Sequence, residues 1–155
     1  LGNEIAQMDG LSNIELYPLR SLLTTKLAKM RQQRIKGVLE VLHPVSRDQA
    51  MDADDLLRAA GILLDNAIEA AAKKDGLVRV VLLQEEKQLY LAVANNYDAA
   101  PDMAAITRKG YTTKGSGHGT GLSSYRRIVA RCRGSAMRTY LKDGMFVQEL
   151  HIPTI

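Results

Sequence analysis

The fold class this sequence predicts is a two-layer α/β sandwich, with a mixed, mostly antiparallel sheet of about five strands covered on one face by three helices. Three observations predict it. Segments of helical period and β-rich runs follow one another as helix, strand, helix, two strands, loop, helix, two strands. Two pairs of β-rich runs are joined by short polar turns, as in hairpins. The helical segments are long enough to lie across a sheet of that width.

The first helix is predicted over Ile14 to Arg34, where Leu16, Leu19, Leu22, Leu23, Leu27 and Met30 recur near the helical period and Pro18 falls in the first turn. After Gly37, Val38-Leu39-Glu40-Val41-Leu42 reads as a short strand closed by His43-Pro44. The second helix carries the strongest pattern. Asp52 is a good N-cap, Asp55 stands three residues on, and Leu56, Leu57, Ala60, Leu64, Ala67, Ile68 and Ala71 follow until Asp75-Gly76. Leu77 to Leu83 and Gln88 to Ala94 form a hairpin around Gln84-Glu85-Glu86-Lys87. Residues Asn95 to Gly119 show no strong periodicity, and a stretch of that length inside a compact domain points to function or motion. From Thr120 the apolar series Leu122, Tyr125, Val129 and Cys132 predicts a third helix. Ala136 to Leu141 and Met145 to Ile152 then flank the turn Lys142-Asp143-Gly144.

Composition narrows the function classes. The 155 residues are 46% hydrophobic and 25% charged, enough for one domain with a core. No apolar run reaches the roughly 18 residues of a membrane helix, and the opening Leu1-Gly2-Asn3-Glu4 has neither part of a signal peptide, so a soluble segment is expected. The single cysteine, Cys132, forms no internal disulfide, and no Cys/His cluster has zinc spacing; both fit a reducing cytoplasm. The net charge of +4 is spread out, with one Phe and no Trp to stack on bases, so no nucleic-acid partner is expected. Arg126, Arg127, Arg131 and Arg133 read as a solvated helix face.

Two features carry chemistry. In Thr112-Thr113-Lys114-Gly115-Ser116-Gly117-His118-Gly119-Thr120-Gly121-Leu122, four glycines at every second position open directly into a helix. Backbone N–H groups without Cβ crowding beside a helix N-terminus suit phosphates, against the plain alternative of a flexible connection. The pattern is neither G-x-x-x-x-G-K-[ST] nor a G-x-G-x-x-G after an apolar strand, which excludes a P-loop and a Rossmann turn.

The other feature is Gly61 to Ala70. At about 100° per residue Asn66 points almost opposite the stripe of Leu57, Leu64, Ile68 and Ala71. Its neighbours at helical spacing are Ala59, Ile62 and Ala70, with Glu69 and Lys73. A carboxamide among small and apolar groups suits a partly apolar ligand; the alternative is a surface Asn on an alanine-rich helix.

Together, Asp65-Asn66-Ala67 and, some fifty residues on, Thr113 to Leu122 resemble the N box and last glycine box of the ATPase superfamily shared by DNA gyrase, heat-shock chaperones, MutL and histidine kinases. The resemblance spans roughly residues 10 to 152. Gly61 to Ala71 and the Thr-Lys-Gly opening look most like the peptide-pheromone receptor kinases of Gram-positive quorum sensing. It implies a Bergerat-type fold and the Mg-ATP-binding catalytic domain of a two-component sensor histidine kinase. By it Asn66 is the Mg²⁺ ligand and the catalytic residue acting through that ion, a reasonable role because Mg²⁺ keeps several waters. Thr113, Lys114, Gly115, Gly117, His118, Gly119, Gly121 and Leu122 would surround the nucleotide phosphates beneath a lid. Asn95 stands where most relatives read the adenine amine with Asp, and a carboxamide oxygen also accepts that bond.

Three departures qualify the match. Asn95-Asn96-Tyr97-Asp98 lacks the usual glycines, Glu69 replaces a basic residue, and Ile62 replaces the Glu that activates water in the hydrolases. Isoleucine takes no proton, so efficient hydrolysis by an ATP-driven clamp is not expected. None of His43, His118 and His151 lies on an exposed acceptor helix. The resemblance therefore implies a phosphoacceptor histidine and dimerisation helices upstream, with 1–13 as their tail or a linker and 14–155 as the catalytic domain. Its implied partners are that upstream domain, a response regulator and a second copy, in the cytoplasmic part of a membrane receptor that meets the membrane only through upstream segments. The alternative is a degenerate nucleotide-binding or interaction module that regulates a partner kinase or response regulator.

Overall fold

The computed structural model describes residues 2–106 and 119–155, with the backbone alone at 119 and 120. Its elements are α1 (Gly2–Ser12), α2 (Tyr17–Gln32), β1 (Lys36–Leu42), α3 (Ala53–Ala70), β2 (Leu77–Gln84), β3 (Gln88–Asn95), α4 (Met103–Ile106), α5 (Gly119–Arg131), β4 (Ala136–Lys142) and β5 (Met145–Pro153). The five strands form one mixed sheet in the order β1-β2-β3-β5-β4. Only β1 and β2 run parallel, and α3 makes the crossover between them. The sheet and the helical layer are those expected.

Local chemistry explains the element ends. The Asp52 carboxylate accepts from Asp55 N and so caps α3. Asp143 and Gly144 both have positive φ, at 52° and 75°, the requirement of the tight turn that joins β4 to β5. Two boundaries differ from expectation: α3 ends at Ala70, short of Asp75-Gly76, and α2 begins at Tyr17 rather than Ile14. Ile14 makes an isolated bridge to Val45 and is fully buried, so its apolar character serves the core outside any helix. The Arg20 guanidinium donates to Ile14 O at 2.8 and 3.0 Å and holds that entry.

The core lies between the sheet and the helices. Leu19, Leu23, Leu27 and Met30 of α2, Leu56, Leu63, Leu64 and Ile68 of α3, and Tyr125 and Ile128 of α5 pack on Val78, Val80, Leu82, Leu89, Leu91, Val93, Leu150 and Ile152. The residues of β2 alternate in burial because, among the described residues, no helix covers the other sheet face. α1 sits beside β1, where Gly10 comes so close that a Cβ would lie 3.2 Å from Leu39 Cδ2. Among the described residues no helix is long and apolar enough to cross a membrane.

Candidate functional site

α3 and α5 lie side by side in opposite directions. Arg131 Nη2 at the end of α5 is 2.8 Å from Asp55 Oδ1 at the start of α3. A Cβ built on Gly121, in the first turn of α5, would sit 3.9 Å from Ile62 Cγ2. The N-terminal half of α3 is therefore covered on two sides, and its C-terminal half opens on a cavity of about 610 Å³.

The cavity has four walls. α3 supplies Asn66, Glu69 and Ala70, the connection after it supplies Ala71 and Lys73, the ends of β3 and β5 supply Asn95, Phe146 and Gln148, and α5 supplies Leu122. Tyr97 to Asp102 and Ile106 close the remaining side. Of the residues expected at the site, Asn66, Asn95 and Leu122 thus share one cavity. Gly119 and Gly121 belong to the first turn of α5, which Leu122 carries into that cavity. Thr113, Lys114, Gly115, Gly117 and His118 lie outside the described residues.

The ligand-facing side of α3 is narrower than its sequence suggested. Ala59 is fully buried in the core and Ile62 packs against it, because α5 docks there; Asn66, Glu69, Ala70 and Lys73 face the cavity. Arg126 also departs from a solvated face. It is half-buried and donates to Ile106 O at 2.6 Å, which ties α5 to the last turn of α4.

Asn95 is 2% exposed, and its Nδ2 donates to Asn96 O at 2.7 Å. That bond leaves Oδ1 as the atom able to accept from a ligand. Asn96, which the sequence did not single out, holds the cavity wall. Its Oδ1 accepts from Ala72 N at 3.1 Å and Leu77 N at 2.9 Å, and its Nδ2 donates to Asp75 O at 2.9 Å. Asp98 Oδ2 accepts from Lys73 N at 3.1 Å. The segment after β3 is thereby clamped to the connection after α3. The cue was present in two adjacent Asn residues at a strand end, since Asx side chains favour local backbone bonds. Gln148 was missed too, although it stands two residues before Leu150 and four before Ile152, on their face of β5.

The cavity suits a nucleotide with its cation. Asn66 offers a neutral hard oxygen, and Ala70, Phe146 and Leu122 offer apolar surface for a base. The first turn of α5 lies beside the cavity, and the N-terminal end of a helix dipole is positive and suited to phosphate. No group of three His, Cys, Asp or Glu among the described residues is placed to hold a metal.

Comparison with known proteins gives the same outline. Residues 51–153 match the family model of the GHKL domain. No curated protein matches. Among solved structures, the nucleotide-free catalytic domain of histidine kinase ThkA superposes with a TM-score of 0.74 at 24% identity, covering 88% of this chain and 91% of that one. The mycobacterial sensor histidine kinase MprB gives 0.64 at 20% identity, over 86% and 93% of the two chains. ThkA in complex with the response regulator TrrA gives 0.66 at 20% identity, over 88% and 40%.

Proposed function

Because this chain belongs to the GHKL domain family, with the fold of histidine kinase catalytic domains, we propose that it binds Mg-ATP and donates the γ-phosphoryl group to a histidine outside this segment. The observation that carries the proposal is the convergence of Asn66, Asn95 and the first turn of α5 on one cavity. Asn66 would hold Mg²⁺ through its carboxamide oxygen. When bound, the ion offsets the negative charge of the phosphates. Asn95 Oδ1 would accept from the adenine amine, and the N–H groups of Gly119 and Gly121 would hold phosphate oxygens. Thr113, Lys114, Gly115, Gly117 and His118 would complete the phosphate site. Positioning and charge stabilisation suffice for such a transfer. Ile62, at the place of a water-activating Glu, disfavours hydrolysis.

In this reading 14–155 is the catalytic domain, and 1–13 continues from a dimerisation helix that carries the acceptor in a dimeric receptor. A response regulator would take the phosphoryl group next; a relative, ThkA, has been solved with one. The cytoplasmic side of a peptide-pheromone receptor is the setting that the wording of Gly61 to Ala71 suggests. One feature favours a second reading, an interaction module with weak nucleotide binding: Asn95 and its flank lack the acid and glycines of the usual adenine box.

Titration calorimetry of a non-hydrolysable ATP analogue with Mg²⁺ separates the two. Magnesium-dependent binding that is lost in a folded Asn66→Ala variant supports the kinase. A folded wild type that binds no nucleotide sinks it and leaves the interaction module.

A further inference from the structure

Gln148 lies on β5 among the residues facing the helices and is 5% exposed. Its cross-strand neighbours are Val93 on β3 and Thr139 on β4. The carboxamide makes no hydrogen bond among the described residues. Burying such a group without a partner is costly, and native proteins rarely do so without a reason. The only side-chain polar atom sealed from solvent without a partner, among the described residues, is Ser135 Oγ. Gln148 escapes that condition because it lines the cavity beside Asn66 and Asn95.

The strand register sets Gln148 relative to Asn95. Asn95 is directly opposite Phe146, so Gln148 is its diagonal neighbour, and such pairs have Cα atoms roughly 7–8 Å apart. The two carboxamides differ in freedom. Asn95 Nδ2 is committed to Asn96 O, which fixes Oδ1 as an acceptor, while either end of the Gln148 amide is free to turn toward a ligand.

Resting on the nucleotide reading above, we propose that Gln148 is a specificity-determining residue that reads the base edge next to the group read by Asn95. On an adenine the amine would donate to Asn95 Oδ1, and the adjacent ring nitrogen N1 would accept from Gln148 Nε2. Guanine presents a carbonyl oxygen in place of the amine, and that oxygen would face the fixed Asn95 oxygen without a proton between them. The pair therefore favours adenine using two groups that do not ionise in the physiological range.

The test is calorimetry with Mg²⁺ and three probes: a non-hydrolysable ATP analogue, its 1-deaza counterpart with carbon in place of N1, and the corresponding GTP analogue. Wild type should bind the ATP analogue about tenfold more tightly than the 1-deaza probe, the scale of one hydrogen bond in a dry site. Gln148→Leu should bind both equally while retaining magnesium dependence and the preference over the GTP analogue. Gln148→Met, which keeps length and flexibility, provides the same comparison if the leucine variant fails to fold. An undiminished preference for N1 in either folded variant, or no preference in wild type, overturns the role of Gln148 alone. Wild type that binds none of the probes overturns the nucleotide reading with it.

Discussion

Lys26 Nζ lies 2.7 Å from Asp65 Oδ1, and this pair ties α2 to the turn of α3 that carries Asn66. Lys29 Nζ adds a longer contact at 3.8 Å. The Lys26 side chain is 17% exposed and that of Asp65 39%, so water and salt screen the attraction. Asp65→Ala should cost at most about 1 kcal/mol of stability, and less at high salt. Urea unfolding at low and at high salt checks this. A cost that salt leaves unchanged would mean that Asp65 acts through packing and not through its charge.

Asn96 should matter more. Replacing it with Ala leaves the half-buried N–H groups of Ala72 and Leu77 and the exposed carbonyl of Asp75 without their partner. A cost of roughly 2–3 kcal/mol is expected, and Asn96→Asp, which keeps the double acceptor and loses the donor, should cost clearly less. Chemical denaturation of the two variants decides it. Equal stability would show that the double acceptor is not what holds the segment after β3.

What the sequence made legible follows from how local each signal is. α3 could be read because its period and its Asp52 cap lie within one stretch, and the β4–β5 hairpin because Asp143-Gly144 states its own turn. Asn66, Asn95 and Leu122, which line one cavity, were picked out by the family resemblance and not by local periodicity. The start of α2 was misplaced because Ile14 is apolar for a different reason, its bridge to Val45. The four-residue α4 is too short to leave a period. Asn96 and Gln148 stayed hidden because their roles depend on partners far along the chain: the connection after α3 for one, the β3–β5 register for the other.

On the uncovered face of the sheet, Glu149 is buried among Tyr140, His151, Tyr90 and Arg138. Burial alone would push its carboxyl up, yet bonds from Tyr140 and His151, the nearby Tyr90 hydroxyl and the charge of Arg138 together hold it below its ordinary value of 4.5. A carboxyl lowered by folding adds stability that is present above the unfolded pKa and lost as pH falls through the folded one. Tyr140 shows the reverse: its bond to Glu149, with burial, raises it above 10.0, so its share is present below that value and lost as pH rises. Glu149→Gln should therefore flatten the melting temperature against pH on the acid side of 4.5. It should also let Tyr140 ionise at lower pH, followed by tyrosinate absorbance. An unchanged acid limb would assign the acid loss to other carboxyls.

The last prediction concerns α1. Gln7 is buried, with Nε2 donating to Gly37 O at 2.7 Å and Oε1 accepting from Arg31 Nη1 at 2.8 Å. Asn3 Nδ2 donates to the same carbonyl at 2.9 Å. The close approach requires Gly37, where a Cβ would lie 2.8 Å from Met30 Sδ. The outer side of α1 leaves Ile5 and Met8 exposed, so few apolar contacts replace this polar bridge once it is cut. Gln7→Ala should cost about 1–2 kcal/mol, with Asn3 still serving Gly37 O. The loss should be local, since α3 and the central strands have their own core. Hydrogen exchange should accelerate across residues 2–12 and stay slow in α3. Acceleration spread evenly over both helices would mean that α1 unfolds only with the whole domain, and that the boundary between 13 and 14 does not divide two separately stable parts.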